Sequence, residues 1–321
     1  MGAGLASRGI AATSSAISAG RASAVAFAED FTGGERAENP LDERDTAFID
    51  STLATYRSIV RAYFRPHVRG LEHVPTEGPA LLVGNHSGGT LIADTFVFGY
   101  EFAAMFGSGR SFHQLAHDML FRVPGLAALR KYGMIPAAPE NARRALAAGA
   151  AVLVYPGGDW ETYRPSWESG KIDFGGRKGF IDIALEAGAP IVPVVAIGGQ
   201  ETALFLARGE RASRFLGLDK MLRIKVLPVQ IAPPFGITVL DLPLRIPLPA
   251  QITIQVLPPI DLRAEFGADP DRDEVYDTII DEMQRALTEL SEERDLPVVG
   301  TVGERADHSE VADEVLAGRS A

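Results

Sequence analysis

In residues 82–89, LVGNHSGG, an apolar run ends in Asn-His and is followed by small residues. Residues 80–83 predict a buried strand, because a short unbroken apolar run is typical of a sheet interior. A histidine just past a strand end lies where α/β folds bind their substrates. His86 is therefore either a general base or a structural histidine held in a turn. As a base it needs an orienting carboxylate, and Asp94 lies eight residues farther along.

Apolar runs of this kind recur along the chain and alternate with helical patterns. Further strands are predicted over residues 151–154 and 191–195, and an alternating one over residues 252–256. Helices are predicted over residues 142–148 and 180–186. Strands and helices that alternate, with glycine-rich junctions, indicate an α/β fold that carries its chemistry at the strand ends.

Two amphipathic helices bracket this region. Apolar residues recur at helical spacing from Asp45 to Phe64, where Arg65-Pro66 ends the run, and a last helix is predicted from about Asp273 to Glu292. The first helix either packs on the domain or lies at a membrane interface. The predicted regions are a low-complexity tail (residues 1–42), one domain (residues 43–295) and an acidic tail (residues 296–321).

The formal net charge of −11 belongs to one end of the chain. Residues 261–321 contain 18 acidic and 6 basic side chains, whereas residues 1–260 contain 24 acidic and 25 basic ones. The acidic balance argues against nucleic acid as a partner, while the nearly neutral part permits contact with a membrane surface. Because the chain has no cysteine, disulfides, thiolate nucleophiles and cysteine-bound zinc are excluded.

Hydropathy leaves one segment unassigned. No run of about 18 consecutive apolar residues occurs, so no transmembrane helix is predicted. Residues 221–248 are strongly apolar but contain five prolines, which forbid a long helix or a central strand. The segment is either a loop packed on the core or an exposed patch that touches lipid.

Two further motifs follow predicted strands. In the motif of residues 155–161, Tyr-Pro-Gly-Gly-Asp-Trp-Glu, the adjacent Gly157 and Gly158 let the backbone approach a ligand and offer N–H groups to an oxyanion, or simply form a turn. Arg177 and Lys178 precede a predicted helix, where they either neutralise a phosphate or face water. The two motifs are therefore candidate parts of a site with His86.

The order and spacing of these elements resemble the glycerolipid acyltransferase superfamily. The resemblance spans roughly residues 68–260 and includes Asn-His at a strand end, Tyr-Pro-Gly-Gly, Arg-Lys-Gly-Phe and then Ala-Pro-Ile-Val-Pro-Val. The Pro-Gly-Gly form is similar to the diacylglycerol acyltransferase branch, since the Phe-Pro-Glu-Gly-Thr-Arg block of the lysophosphatidic acid acyltransferases is absent. The resemblance implies a glycerol-3-phosphate-acyltransferase-like α/β fold, with a mixed, largely parallel sheet flanked by helices.

The resemblance also assigns roles. In that family the histidine takes the proton from the acceptor hydroxyl as it attacks an acyl-CoA thioester, and this role maps onto His86. The family's aspartate lies five positions on, where this chain has Leu91, so Asp94 is the expected substitute, with Ser87 or Thr90 as alternative partners. The full predicted set is His86 and Asp94 as catalytic residues, with Asn85, Ser87, Gly157, Gly158, Glu161, Arg177 and Lys178 binding the substrates.

The resulting prediction is an acyl-CoA-dependent O-acyltransferase that uses neither metal nor cofactor. Its acceptor is a glycerolipid or long-chain alcohol, and it is expected in the cytoplasm at the inner face of a membrane, without nucleic acid as a partner. The alternative is a catalytically inactive lipid-binding protein on the same scaffold. An esterase is disfavoured because Gly-x-Ser-x-Gly is absent. A metal hydrolase could be built from His113, His117 and Asp118, since on a helix the i, i+4 spacing puts both imidazoles on one face. The glutamate of His-Glu-x-x-His is absent, so His113 and His117 are expected to be surface or core residues.

Overall fold

The structure is a computed structural model, and it describes residues 37–294 apart from 90–91, 118–119, 122–125, 210–225, 240 and 242–244. Most of the predicted N-terminal tail and all of the predicted acidic tail lie outside the described residues. So do Thr90, Leu91 and Asp118, and the first five residues of the apolar segment 221–248. The predicted boundaries of the domain therefore stay predictions.

A mixed, largely parallel sheet of seven strands forms the centre of the described chain. The strands lie in the order β1-β10-β6-β2-β5-β3-β4, and only the β10–β6 pair is antiparallel. The predicted fold class is confirmed. Their bounds are β1 His67–Arg69, β2 Ala80–Gly84, β3 Phe112–Ala116, β4 Met134–Pro136, β5 Ala151–Val154, β6 Ile191–Ile197 and β10 Thr253–Val256.

A second, antiparallel sheet comprises β7 Leu204–Ala207, β8 Val229–Ala232 and β9 Gly236–Val239. Two of its strands lie within the apolar segment for which the prolines predicted no central strand. That prediction is wrong, because β8 is the middle strand of this sheet. The described prolines of the segment, at positions 228, 233, 234 and 247, fall outside the strands, so none of them interrupts the ladder. A sheet of short strands therefore occupies part of the segment, a structure that the sequence did not predict.

Helices cover the large sheet. They are α1 Thr46–Phe64, α2 Ala93–Phe106, α3 Pro139–Ala147, α4 Gly158–Thr162, α5 Gly179–Ala187, α6 Leu262–Phe266 and α7 Arg272–Glu292. The predicted amphipathic helix is α1, which begins where the Asp45 carboxylate accepts the Phe48 N–H at 2.9 Å. The helix ends at Arg65, which has a left-handed φ of 42° and is followed by Pro66. In the part of the chain that the structure describes, no helix is long and apolar enough to cross a membrane.

Two apolar cores lie on the two faces of the large sheet. Leu81 and Val83 of β2 pack into one core with α3, α5 and α7, whereas Leu82 packs into the other core with α1 and α2. All three side chains are fully buried, and each burial stabilises the fold by about 1.5–3 kcal/mol. Because β2 is the central strand and is covered on both faces, its carboxyl end is a rigid support for the residues that follow it.

Candidate active site

The loops that follow three neighbouring strands meet at one edge of the large sheet. Strand β2 runs parallel to β5 and to β6, so their carboxyl ends lie side by side. His86 follows β2, Tyr155 follows β5 and Gly198 follows β6. This edge of a parallel sheet is the usual place for a binding site in α/β folds.

The imidazole of His86 is buried against Tyr155. The two rings stack with their centroids 4.0 Å apart and their planes 21° apart. Gly84 makes this possible, because a Cβ atom at that position would lie 2.6 Å from Cε1 of Tyr155. The glycine that ends β2 therefore leaves room for the ring on which the candidate base rests.

Asp94 lies in the first turn of α2 and faces the histidine. Its Oδ1 atom is 3.9 Å from Nδ1 of His86, which is an ion-pair distance but longer than a hydrogen bond. Oδ1 accepts the backbone N–H of Thr95 at 2.6 Å. Within the described residues, neither Nδ1 of His86 nor Oδ2 of Asp94 has a hydrogen-bond partner. The structure thus brings together the two residues that the sequence predicts as catalytic.

Burial changes the charge of both groups. It lowers the pKa of His86 to about 3, with the nearby Arg164 guanidinium lowering it further. It also raises the pKa of Asp94 to about 7, against the hydrogen bonds from Thr95. The imidazole is therefore uncharged at neutral pH, and in this conformation it is a weaker base than an exposed histidine.

Glu161 contacts the loop that follows β2 and contains His86. Its side chain is fully buried, Oε2 accepts the backbone N–H of His86 at 3.2 Å, and Oε1 accepts the N–H of Asp173 at 3.2 Å. Burial raises the pKa of Glu161 to about 8, and the charge of Arg164 opposes this shift. A Cβ atom at Gly157 would collide with this side chain. The carboxylate that the sequence predicts to bind substrate contacts the backbone of the candidate base.

The Pro-Gly-Gly turn is held by an arginine. Arg177 donates from Nη1 to the Gly157 carbonyl at 2.7 Å and from Nη2 to the Asp159 carboxylate at 2.7 Å. The N–H of Gly158 donates to the Tyr155 carbonyl at 3.1 Å, so in this conformation it closes the turn and does not face an oxyanion. Lys178 pairs with Asp273 of α7. Arg177 therefore lies at the predicted site, while Lys178 contacts a helix.

Asn85 and Ser87 flank the histidine and face β6 and the loop after it. The Asn85 amide donates to the Ala196 carbonyl at 2.9 Å and accepts its N–H at 2.7 Å, which fixes the loop to β6. Gly199 leaves room for Ser87, because a Cβ atom there would lie 2.7 Å from Ser87 Oγ. Both predicted binding residues are buried, and Asn85 orients the loop.

The sequence did not reveal Arg245. This side chain is buried and donates from Nε to the Asp241 carboxylate at 2.7 Å. Its guanidinium also donates to the carbonyls of Gly88 and Thr202. One signal was available, since Asp241 and Arg245 are the two charged residues between positions 226 and 250.

The arrangement expected for a metal hydrolase is wrong. His113 lies in strand β3, so it does not share a helical face with His117. Its Nδ1 atom lies 3.2 Å from the Gly133 carbonyl, and burial lowers its pKa to about 4. His113 is therefore a buried, hydrogen-bonded histidine of the sheet.

Together, the fold and the site define an α/β domain with a candidate general base and an acidic partner at the end of its central strand. The model of the family described as Acyltransferase matches residues 65–197. This match confirms the resemblance that the sequence motifs indicate.

Similar proteins come from bacteria, mammals and plants. An uncharacterized protein of Mycobacterium tuberculosis is 29% identical over 232 residues, which cover 72% of this chain and 62% of the relative. A bovine "DGAT1/2-independent enzyme synthesizing storage lipids" is 34% identical over 129 residues, 40% of this chain and 37% of the relative. "Phytyl ester synthase 2, chloroplastic" of Arabidopsis thaliana is 34% identical over 144 residues, 41% of this chain and 19% of the relative. The matched region thus spans less than two thirds of each relative.

Proposed function

We propose that this chain transfers a fatty acyl group from acyl-CoA to the hydroxyl of a neutral glycerolipid or a long-chain alcohol. The observation that carries the proposal is the uncharged, buried His86 with Asp94 Oδ1 3.9 Å from its Nδ1, at the carboxyl end of the central strand of an acyltransferase domain. His86 is therefore the proposed general base.

The chemistry follows from this geometry. Nδ1 of His86 faces Asp94, so Nε2 is the nitrogen that accepts the proton of the acceptor hydroxyl. The hydroxyl oxygen attacks the thioester carbonyl, and collapse of the tetrahedral intermediate breaks the C–S bond. The proton held on Nε2 then passes to the departing CoA thiolate. Asp94 stabilises the imidazolium that exists between these two steps.

The class of acceptor is inferred from the names of two relatives and from a sequence motif that this chain lacks. Two relatives are named for making storage lipids and phytyl esters. The arginine-containing block of the lysophosphatidic acid acyltransferases is absent from the sequence. Both facts favour an uncharged lipid alcohol, and such acceptors partition into membranes. We therefore propose peripheral association with the cytoplasmic face of a membrane.

Acyl transfer from radiolabelled acyl-CoA tests the proposal. The acceptors are mono- and diacylglycerols, lysophospholipids and phytol, and the variants are His86→Ala and, as a matched control, the exposed His67→Ala. Removal of a general base typically lowers the rate about 10²–10⁴-fold, so His86→Ala should lose that much of kcat while His67→Ala keeps it. Full activity in His86→Ala would show that another residue is the base.

One observation favours a second function, lipid binding without catalysis. The His86–Asp94 distance of 3.9 Å leaves both groups without the hydrogen bond that usually orients a catalytic histidine. A wild-type protein that is inert on every acceptor, yet binds labelled diacylglycerol, would establish this function.

A further inference from the structure

The small sheet exposes an entirely apolar outer face. In its ladder Leu204 pairs with Ile231 and Ile231 pairs with Ile237, while Val229 pairs with Val239. Side chains alternate between the faces of a sheet, so these residues point to the same side. The residues between them in sequence, such as Phe205 and Gln230, are buried on the opposite face.

This face continues into the segment that follows the sheet. Ile246 donates its N–H to the Pro233 carbonyl at 2.9 Å, and Leu248 donates its N–H to the Thr202 carbonyl at 2.8 Å. We name as the apolar belt the exposed side chains that these contacts join: Leu204, Ile231, Phe235, Ile237, Val239, Ile246 and Leu248. Ile237 is 71% exposed, and Val239 and Ile246 are each 55% exposed. A contiguous apolar surface of this kind marks an interaction site.

The charges around the belt indicate what covers it. The two charged residues of positions 226–250, Asp241 and Arg245, are buried and paired with each other, so this region presents no charged side chain. By contrast, residues 210–225, which precede β8 in the sequence, contain five basic and two acidic residues in a chain of net charge −11. A neutral apolar face, in a part of the chain whose preceding sequence is basic, complements a bilayer that carries anionic headgroups.

The belt is tied to the candidate active site. Arg245, next to the belt residue Ile246, donates to the carbonyl of Gly88, two residues after His86. A Cβ atom at the neighbouring Gly89 would lie 2.8 Å from this guanidinium and 2.8 Å from the Phe205 ring of β7. The loop of His86 thus lies directly against the inner face of the small sheet.

We propose that the apolar belt is the surface by which this protein docks on an anionic lipid bilayer, which brings the loop of His86 to the membrane. The proposal rests on the proposed function, because an acceptor dissolved in a bilayer has to be reached from its surface.

Vesicle co-sedimentation of the full chain tests the proposal. The vesicles are phosphatidylcholine with and without phosphatidylglycerol, and the variants are Ile237→Ser and Val239→Ser. The matched control is Met105→Ser, whose side chain is 50% exposed in α2. Met105 lies near the end of α2, close to Ser108. The Ser108 carbonyl accepts a hydrogen bond from Arg44, which precedes α1. Met105 is therefore at the end of the α1–α2 pair that lies away from the belt.

Both belt variants should bind about tenfold more weakly, since each removes apolar area from the buried contact, while Met105→Ser should bind as the wild type does. Phosphatidylglycerol should strengthen binding of the wild type. Equal binding by belt and control variants overturns the proposal, as does a change of oligomeric state in the belt variants, which would identify a second copy as the occupant.

Transfer to a short-chain, water-soluble alcohol without vesicles separates the two proposals. Unchanged transfer by Ile237→Ser together with weak vesicle binding supports docking. If no alcohol is acylated but binding still depends on the belt, the proposed function fails and the docking surface stands.

Discussion

The imidazole of His86 lies on the phenol ring of Tyr155, with centroids 4.0 Å apart and planes inclined by 21°. The Tyr155 hydroxyl accepts a hydrogen bond from Thr95 Oγ1 at 2.9 Å, and Thr95 also binds the Asp94 carboxylate. Tyr155 thus supports His86 directly and Asp94 through Thr95.

Replacement of Tyr155 should separate support by the ring from support by the hydroxyl. Tyr155→Phe keeps the stacked ring, so kcat should fall less than about tenfold. Tyr155→Ala removes a buried ring and should lower the free energy of unfolding by about 3–5 kcal/mol, with loss of most activity. Urea unfolding and acyl transfer measure the two effects. Equal losses in the two variants would show that the hydroxyl, and not the ring, supports His86.

Gly84 should not tolerate a methyl group. A Cβ atom there would lie 2.6 Å from the Tyr155 ring, and overpacking of this kind lowers the free energy of unfolding by about 1–3 kcal/mol. Gly109→Ala is the matched control, because a Cβ atom at Gly109 has no neighbour within 4 Å in the structure. Urea unfolding should therefore distinguish the two alanine variants, and similar stabilities would contradict the described packing.

Glu161→Gln should disturb the loop of the candidate base without changing its volume. Above about pH 8, where the Glu161 carboxyl is ionised, both of its oxygens accept backbone N–H groups, from His86 and from Asp173, so an amide NH₂ must face one of these donors. The unmet hydrogen bond should lower the free energy of unfolding by about 1–3 kcal/mol and also lower kcat. The exposed Glu265→Gln is the control and should change neither quantity. Unchanged kcat in a destabilised Glu161→Gln would limit this residue to a structural role.

Arg245 and Asp241 should depend on each other. Arg245→Leu removes the positive charge beside the buried Asp241 carboxylate, to which Gln230 still donates at 2.9 Å; loss of one member of a buried ion pair typically destabilises a protein by about 3–5 kcal/mol. The double variant R245L/D241L removes both charges, so most of that stability should return. It still lacks the hydrogen bond to Gly88, and kcat should therefore stay low. Thermal unfolding together with acyl transfer gives both readouts, and recovery of kcat in the double variant would contradict a role of Arg245 in holding the loop.

The sequence predicted the parts of the site that depend on local pattern. The unbroken apolar run of β2 predicts a buried strand, which is present, whereas His86 after it is buried and not in an open turn. The sequence predicts Asp94 as the partner of His86 because it is the carboxylate nearest in sequence, and Asp94 reaches His86 from the first turn of α2. Such inferences succeed because a few neighbouring residues determine strand and helix.

What the sequence missed depends on contacts between distant residues. Arg245 reaches Gly88 across 157 positions, and its one local signal, that it and Asp241 are the two charged residues of an apolar stretch, does not indicate which loop it contacts. The spacing of His113 and His117 fits a helix, yet His113 pairs with Val152 in the sheet. The role of Glu161 also became visible only when the loops after β2 and β5 were side by side.

The stability of the protein should depend on pH through His86. In the unfolded chain its pKa is near the ordinary value of 6.5, whereas burial holds the folded value at about 3. As pH falls from about 6.5 to about 3, the unfolded chain binds a proton that the folded protein excludes, so the free energy of unfolding decreases. His86→Gln lacks this titration. The difference in the free energy of unfolding between wild type and His86→Gln should be constant above pH 6.5. Below pH 6.5 the wild type should become less stable relative to His86→Gln.

Asp94 should act in the opposite direction over an overlapping range. Folding raises the pKa of Asp94 from 3.8 to about 7, so as pH increases the unfolded chain loses this proton before the folded protein does. The wild type should therefore lose stability relative to Asp94→Asn between about pH 4 and 7. Urea unfolding of the three proteins from pH 4 to pH 8 measures both effects. Parallel curves for wild type and both variants would mean that these groups are solvated in the folded protein, against the burial on which the candidate site depends.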